Sequence, residues 1–456
     1  MPSLSSSSSS EHDTGAPSDD LNLSELTHNE KLLIDLAGLL KARPSFSHGV
    51  MKLTSQFSES TLFYGSGSNL GRIDLSNATE SELEHLSDVC GAATFGRNQQ
   101  DVLDESYRKA RKLDRSDFAC HFDAEHCGLV KTACREIFVG KESSRAVKAE
   151  LYKLNVYGPG SFFKPHQDTP RGNNMFGSLV VVFPTEHEGG ELALCPRDAE
   201  ETTVLDFGAL LSKEDEPSIG YAAFFSDVTH EVYEVKRGYR VTLTYNLYFD
   251  DPVQGDPSES KATLLASDIA EAPIAKSLLN ILTEPTFLPD GGLIGFGLRY
   301  QYALDLDTSS IEAQKILPAL KGSDSAILRA LSQQDLKPFP MAIYKTDDTT
   351  IMCDKFVRGL VGDPERNLCS LLLQDHWGNL IDKGEDADWP EDLVVDEQVT
   401  WITKPTYLNT YSADYATYGN EPMLMTAYAD LALMVMVGKP GERAVVRKIV
   451  RKNDRC

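Results

Sequence analysis

From Leu21 to Leu40 the chain places apolar residues at three- and four-residue intervals, the spacing of a helix with one buried stripe. Short strand-like runs follow at Met51–Phe57 and Thr61–Tyr64. Asn77-Ala78-Thr79-Glu80 then opens a helix through Leu86. Thr79 stands at its N-cap and Glu82 three residues on, the spacing of a capping box. Val102–Leu113 and Glu125–Phe138 read as two further helices. Residues 21–148 are therefore expected to form a helical support region with a few strands, behind a Ser-, Gly- and Asp-rich disordered tail over residues 1–20.

The texture changes at Ala149. Short alternating runs rich in β-branched and aromatic residues follow one another: Glu150–Tyr157, Gly177–Phe183, Glu191–Leu194, Thr203–Phe207, Tyr221–Phe225, His230–Val235 and Tyr239–Tyr248. Turn residues separate them at Gly158-Pro159-Gly160, Glu188-Gly189-Gly190 and Lys236-Arg237-Gly238. Evenly spaced short strands predict an antiparallel barrel or a double-sheet jelly roll over residues 149–250. Asp250 to Pro257 reads as a linker. Residues 258–456 return to a mixed α/β texture that ends in the apolar run Leu431–Val437 and a basic stretch, Arg443–Arg455, read as a solvated end.

A chain of 456 residues is long enough for two or three packed units. Its 69 acidic against 44 basic residues give a net charge of −25, which repels a phosphate backbone and speaks against nucleic acid as a partner. On charge alone a cationic or neutral substrate is the more natural one. No stretch is apolar for long enough to span a membrane, and the serine-rich start has neither the basic nor the apolar part of a secretion signal. The eight cysteines form no dense framework and are read as reduced thiols in a cytoplasmic or nuclear protein. Nothing in the sequence sets the oligomeric state.

Chemistry concentrates in the strand-rich block. His166 and Asp168 form a His-x-Asp pair, whose alternate side chains share a face of an extended segment, and His230 follows 64 residues later (230 − 166). Two imidazoles and one carboxylate on one face of a metal leave open positions, the set that suits non-haem Fe(II). Arg240 lies ten residues beyond His230 (240 − 230), across an expected hairpin turn at Lys236–Gly238. Around that turn His230, Arg240 and Thr242 share parity and are expected to face one interior. A guanidinium there offers a fork to a carboxylate, and Thr242 adds a hydroxyl donor.

Other motifs carry less. Cys120-His121, His126-Cys127 and Cys134 mimic a zinc cluster, but adjacent Cys-His pairs diverge, and packed side chains are the expected reading. Tyr64-Gly65-Ser66-Gly67 lacks a following phosphate-loop lysine and reads as a loop. His376 is the sole histidine of residues 258–456, so that region holds no second two-histidine site and is expected to be non-catalytic.

Tyr157-Gly-Pro-Gly-Ser-Phe-Phe-Lys-Pro-His166-Gln-Asp168, then Gly189-Gly190-Glu191-Leu192, His230, and Arg240-Val-Thr-Leu-Thr-Tyr-Asn-Leu together resemble the 2-oxoglutarate/Fe(II) oxygenases of the prolyl 4-hydroxylase type. The resemblance covers residues 149–249. Flanking segments, such as Phe296-Gly-Leu-Arg-Tyr-Gln-Tyr and Tyr418-Gly-Asn-Glu-Pro, resemble a group of fungal proteins that carry this domain. It implies an α+β fold with a double-stranded β-helix (jelly-roll) core, an N-terminal helical layer and a mixed α/β C-terminal region. It further implies that His166, Asp168 and His230 hold Fe(II), that Arg240 pairs with the 2-oxoglutarate carboxylate, and that Tyr157 points its hydroxyl at it. Oxygen is the other co-substrate, with ascorbate as an optional reductant. Collagen-type enzymes carry lysine where Arg240 stands, which loosens the tie to that substrate. A carboxylate at Asp168, where a small residue would open a halide site, implies hydroxylation or demethylation. The implied activity is hydroxylation of a protein prolyl or other side chain; the alternatives are oxidation of a small metabolite, or a binding or assembly protein that kept the jelly roll.

Overall fold

The computed structural model describes residues 26–445, apart from 42–43, 54–59, 66–69, 98–99, 139–144, 170, 173, 198, 200, 251–263, 303–309, 346–348, 358–359, 362–367, 375, 384–394, 397, 407–410 and 418–422. The expected N-terminal tail, the linker before Pro257, the Ser66-Gly67 turn, the Tyr418 segment and most of the basic stretch after Arg443 lie outside the described residues.

Two antiparallel sheets build the central unit. The larger has seven strands in the order Phe46–Lys52, Ser218–Phe225, Met175–Val182, Arg240–Phe249, Val147–Tyr157, Arg111–Asp114 and Gly91–Ala92. The smaller has five, in the order Thr203–Leu205, Leu192–Cys195, Thr229–Val232, Phe162–His166 and Arg108–Lys109. The two-residue period of a strand divides the larger sheet into two chemistries. Leu154, Val156, Val241, Leu243 and Leu247 enter the main hydrophobic core, which also takes Leu83, Leu86, Leu129 and Ile137 from two helices, Glu80–Val89 and Leu129–Ile137. The alternate residues Lys153, Asn155, Tyr157, Arg240, Thr242 and Thr244 line a cavity shared with the smaller sheet. Burying one face of each strand thus fixes what the other face presents.

The capping box at Thr79 forms as the spacing predicts: Thr79 Oγ1 accepts from Glu82 N, and the Glu82 carboxylate accepts from Thr79 N at 2.9 Å. Elsewhere residues 26–148 are less helical than expected. Val102–Leu113 is not a helix. Asp104 closes a turn by accepting from Ser106 N through its side chain and from Tyr107 and Arg108 N through its carbonyl. Arg108–Lys109 and Arg111–Asp114 then pair with strands of the two sheets. Their backbone groups satisfy sheet edges that an amphipathic helix would have left open. The third helix begins at Leu129, after a turn, rather than at Glu125. The support layer is therefore a mixture in which strands outnumber helices and several belong to the central sheets.

The first helix, His28–Lys41, also departs from that layer. Its buried Leu36 and Leu40 join a second core with Ile274, Leu278 and Ile281 of helix Leu264–Thr283. That core covers one face of a mixed sheet of eight strands, in which Met423–Val437 is flanked by Tyr411–Thr417, Phe339–Lys345 and Gly292–Gly297. Leu431, Leu433 and Val435 face this core while Ala432 and Met434 face a third cluster, which explains the unbroken apolar run of a strand buried on both sides. Among the described residues no helix is long and apolar enough to cross a membrane.

Candidate metal centre

His166 and His230 sit opposite each other on neighbouring antiparallel strands, Phe162–His166 and Thr229–Val232, after a bulge between Phe163 and His166 brings them into register. Their ring centroids are 4.1 Å apart. Asp168 lies just past the end of the first strand, and its Oδ1 comes 3.8 Å from His230 Nε2. Ligand atoms of the three residues all fall within 4.8 Å of one another, the one such convergence of three histidine, cysteine or acidic side chains found among the described residues.

Each imidazole is oriented by its own strand. His166 Nδ1 lies 2.8 Å from the carbonyl of Lys164, and His230 Nδ1 lies 3.1 Å from the carbonyl of Val228. A carbonyl can only accept, so both Nδ1 atoms carry the proton and both Nε2 lone pairs are left for a ligand. Burial, and then the neighbouring His230, hold His166 well below the usual imidazole range, so it is neutral as a metal ligand must be. Phe163 stacks on His166 at 3.5 Å and Phe224 packs against His230 at 4.6 Å. Asp168 is oriented too: Ser178 Oγ donates to Oδ2 at 2.5 Å and leaves Oδ1 toward His230. Two nitrogens and one carboxylate oxygen with fixed tautomers are a donor set that fits Fe(II).

Arg240 and Tyr157 are a register pair between the strands Arg240–Phe249 and Val147–Tyr157, and the Arg240 guanidinium carbon lies 5.4 Å from the Tyr157 ring centroid. Thr242, two residues on, pairs with Asn155 and lines the same cavity. Arg240 is 1% exposed, and its Nε and Nη2 have no hydrogen-bond partner. Burial pulls its pKa down from the ordinary value. An unpaired guanidinium in a dry wall is costly, and a carboxylate in the cavity is the group that removes the cost. Gly190 makes room for it: its φ is +70°, and a Cβ there would fall 3.0 Å from Arg240 Cδ.

His230, Arg240 and Thr242 do face one interior, but not by way of a hairpin. Lys236-Arg237-Gly238 belongs to a strand, Val235–Gly238, paired with His187–Gly189. Gly238 is there for close approach, since a Cβ would meet the Glu186 carbonyl at 2.1 Å. His230 lies in the smaller sheet and Arg240 in the larger, so they meet across the cavity.

The cavity holds about 1050 Å³. Its walls also include residues outside the sequence motifs: Arg108, Lys153, Asn155, Arg171 and Ser178. Asn155 and Lys153 carried a signal, since they stand two and four residues before Tyr157 on the same strand face. Ser178 was marked only as a polar residue inside an apolar run. Arg108 lies in Val102–Leu113, whose local pattern is helical and gives no sign of a cavity wall. The cysteines at 120 and 134 are a different matter: burial pushes their thiols up to about 11 and about 12, so neither is a thiolate at neutral pH.

Residues 152–248 match the family model of the 2OG-Fe(II) oxygenase superfamily. Among solved structures the chain is similar to a Pseudomonas putida prolyl-4-hydroxylase, 18% identical over 48% of this chain and 99% of that one, with a TM-score of 0.27. It is also similar to a Trichoplax adhaerens prolyl hydroxylase in complex with a hypoxia inducible factor oxygen degradation domain peptide fragment, at 18% identity, 49% and 90% coverage and a TM-score of 0.28. A third is an oxidoreductase of the 2OG-Fe(II) oxygenase family from Burkholderia pseudomallei, at 14% identity, 47% and 90% coverage and a TM-score of 0.25. No curated protein matches the sequence.

Proposed function

We propose that His166, Asp168 and His230 are the iron ligands of a dioxygenase dependent on Fe(II), 2-oxoglutarate and oxygen, the reading supported by the match of residues 152–248 to the 2OG-Fe(II) oxygenase superfamily. In this reading Arg240, Tyr157 and Thr242 receive 2-oxoglutarate, and the two sheets form a double-stranded β-helix around both. The observation that carries it is the convergence of two Nε2 atoms and one carboxylate oxygen at a cavity whose wall holds an unpartnered guanidinium.

When bound, iron would let oxygen act as the oxidant: one oxygen atom would go into succinate as 2-oxoglutarate loses carbon dioxide, and the other into the hydroxyl that replaces a substrate C–H bond. The chain's own residues do the positioning. The Lys164 and Val228 carbonyls fix the imidazole tautomers, Ser178 keeps one carboxylate oxygen of Asp168 free, and Arg240 anchors the far carboxylate of the co-substrate. Phe163, Phe224, Val232 and Leu192 keep the neighbourhood of the ligands apolar and poor in water. The substrate proposed is a side chain of a protein, proline first, because the Tyr157–Asp168 and Arg240–Leu247 segments follow the prolyl 4-hydroxylase pattern.

The test is 2-oxoglutarate-dependent succinate formation by the full-length protein with Fe(II). His166→Ala and His230→Ala should each abolish it while the circular dichroism spectrum is kept; turnover that survives either change refutes the ligand assignment.

A further inference from the structure

Three cations other than Arg240 line the cavity: Arg108, Lys153 and Arg171. None has a carboxylate partner among the described residues. Arg108, 7% exposed, donates to the Thr94 carbonyl at 2.7 Å and to Asn155 Oδ1 at 2.8 Å, both neutral acceptors, and its Nε has no partner. Arg171 bonds the Tyr152 hydroxyl and lies 4.3 Å over its ring. Lys153 is 8% exposed, its ammonium sits 4.4 Å from the Tyr152 ring centroid, and it has no hydrogen-bond or ion-pair acceptor among the described residues. Asp114, which acts on it favourably, is already held by Lys112 Nζ at 2.8 and 2.9 Å.

Position on the strand orders these groups. Tyr157/Arg240, Asn155/Thr242 and Lys153/Thr244 are successive cross-strand rungs on the cavity face, so Lys153 lies two rungs from Arg240. One carboxylate of 2-oxoglutarate cannot satisfy both ends. Of the two acidic side chains in the wall, Asp168 is a proposed metal ligand and Asp104 accepts from Ser106 N and Oγ. The wall is therefore cationic inside a chain whose net charge is −25. A desolvated cation without a counter-ion is costly, and a fold that buries two of them, Arg108 and Lys153, in one cavity wall, with the exposed Arg171 beside them, is built for an anion. The low Lys153 pKa, about 8, reports the same thing: burial first, then Lys112 and Arg108, disfavour its charge.

We propose that Lys153, with Arg171 and Arg108 beside it, forms a substrate subsite that takes a carboxylate in the cavity shared with the metal centre, so the substrate is an anion despite the acidity of the whole protein. This deepens the oxygenase reading and rests on it. The subsite selects against cationic substrates, because a lysine or arginine side chain would meet like charge in a low-dielectric wall. A nucleic-acid backbone is disfavoured, since these charges line a cavity in a chain whose net charge is −25.

The experiment uses the full-length protein loaded with Mn(II) and N-oxalylglycine, an unreactive 2-oxoglutarate analogue. Pooled random hexapeptides that differ only in carrying Glu, Gln or Lys at a fixed position are offered beside small carboxylic acids and their methyl esters. The acidic probes should bind about tenfold or more tighter than their neutral counterparts, the size of a charge-assisted hydrogen bond. Which acidic set is retained, peptide or small acid, tells the source of the carboxylate. In Lys153→Met the preference should fall to about twofold or less, and in Arg171→Gln it should weaken, with the melting temperature kept or raised and Mn(II) and N-oxalylglycine still bound. Equal binding of neutral or cationic probes overturns the proposal. So does a preference that survives Lys153→Met, a single-stranded oligonucleotide retained above the peptides, or loaded protein that retains no acidic probe. A lowered melting temperature in Lys153→Met with the preference intact assigns Lys153 a merely structural part. If Mn(II) and N-oxalylglycine themselves fail to bind, the oxygenase site falls first and this subsite with it.

Discussion

Asp227 and Lys321 stand 94 residues apart in the chain and meet in a buried ion pair, Oδ1 to Nζ at 3.3 Å, with side chains 8% and 3% exposed. Gln301 N donates to the other Asp227 oxygen at 3.0 Å, and Lys321 Nζ also reaches the Phe176 carbonyl at 3.4 Å. Asp227 lies three residues before His230 (230 − 227), and its carbonyl accepts from Gln167, the residue between His166 and Asp168, at 2.9 Å. The region after residue 264 thus grips the turn that carries one proposed metal ligand and, through it, the segment that carries the other two.

Removing one member of a buried pair strands the other charge, which costs about 3–5 kcal/mol. Lys321→Met should therefore be strongly destabilising, whereas Asp227→Asn combined with Lys321→Met should recover much of the loss, because the remaining amide oxygen still accepts from Gln301. Denaturant unfolding of the single and double variants checks this. Equal stability of the two would show that the pair is not coupled. Mn(II) affinity should fall in the single variant as the turn loosens.

How much of this was legible in the residues varies with the physics involved. That His166 and Asp168 converge with His230, and that Arg240 and Thr242 share a face, follows the two-residue alternation of extended chain, which is strict once one face is apolar. Four of the seven larger-sheet strands, Val147–Tyr157, Met175–Val182, Ser218–Phe225 and Arg240–Phe249, were legible for the same reason, and Thr79–Glu82 because a capping box is local. The Asp227–Lys321 pair was not legible, since a contact between segments 94 residues apart leaves no periodic trace. Val102–Leu113 was misread because its fate depends on edges offered by Val147–Tyr157 and Phe162–His166, which no local propensity records. Lys236–Gly238 looked like a turn because glycine there answers a close approach to Glu186 rather than a reversal of the chain.

Ser178→Ala removes the donor that orients Asp168 and leaves the three proposed ligands in place. Outer hydrogen bonds of this kind typically carry about 10- to 100-fold in metal affinity. Mn(II) affinity measured by electron paramagnetic resonance should drop into that range, with the unfolding midpoint little changed. An affinity equal to that of the parent protein would mean that Asp168 is held by the strand alone.

Arg240→Met should act in opposite directions on fold and on function. It deletes a buried guanidinium whose Nε and Nη2 are unpartnered, so the protein without 2-oxoglutarate should be no less stable. It also removes the proposed anchor of the co-substrate carboxylate, which by two charge-assisted hydrogen bonds corresponds to a KM for 2-oxoglutarate raised about 100-fold or more. Saturating 2-oxoglutarate should raise the melting temperature of the parent protein with Mn(II) and leave that of the variant unmoved. A normal KM in the variant would take Arg240 out of this role.

Lys153 gives a prediction whose sign follows from its position. Its folded pKa of about 8 lies below the ordinary 10.5, with burial as the main cause. Below pH 8 both the folded and the unfolded chain hold the proton, and the folded state bears the full cost of a desolvated ammonium. Between pH 8 and 10.5 the folded chain gives up its proton first and the cost fades; above 10.5 neither state holds it. Lys153→Met, which fills similar volume without charge, should therefore be more stable than the parent at pH 7, with the advantage shrinking as the pH passes from 8 toward 10.5. Urea midpoints of both proteins across that range measure it. A variant less stable at pH 7, or an advantage that stays flat to pH 10.5, would mean that the Tyr152 ring and Asp114 already compensate the ammonium and that Lys153 has no uncompensated charge to offer a substrate.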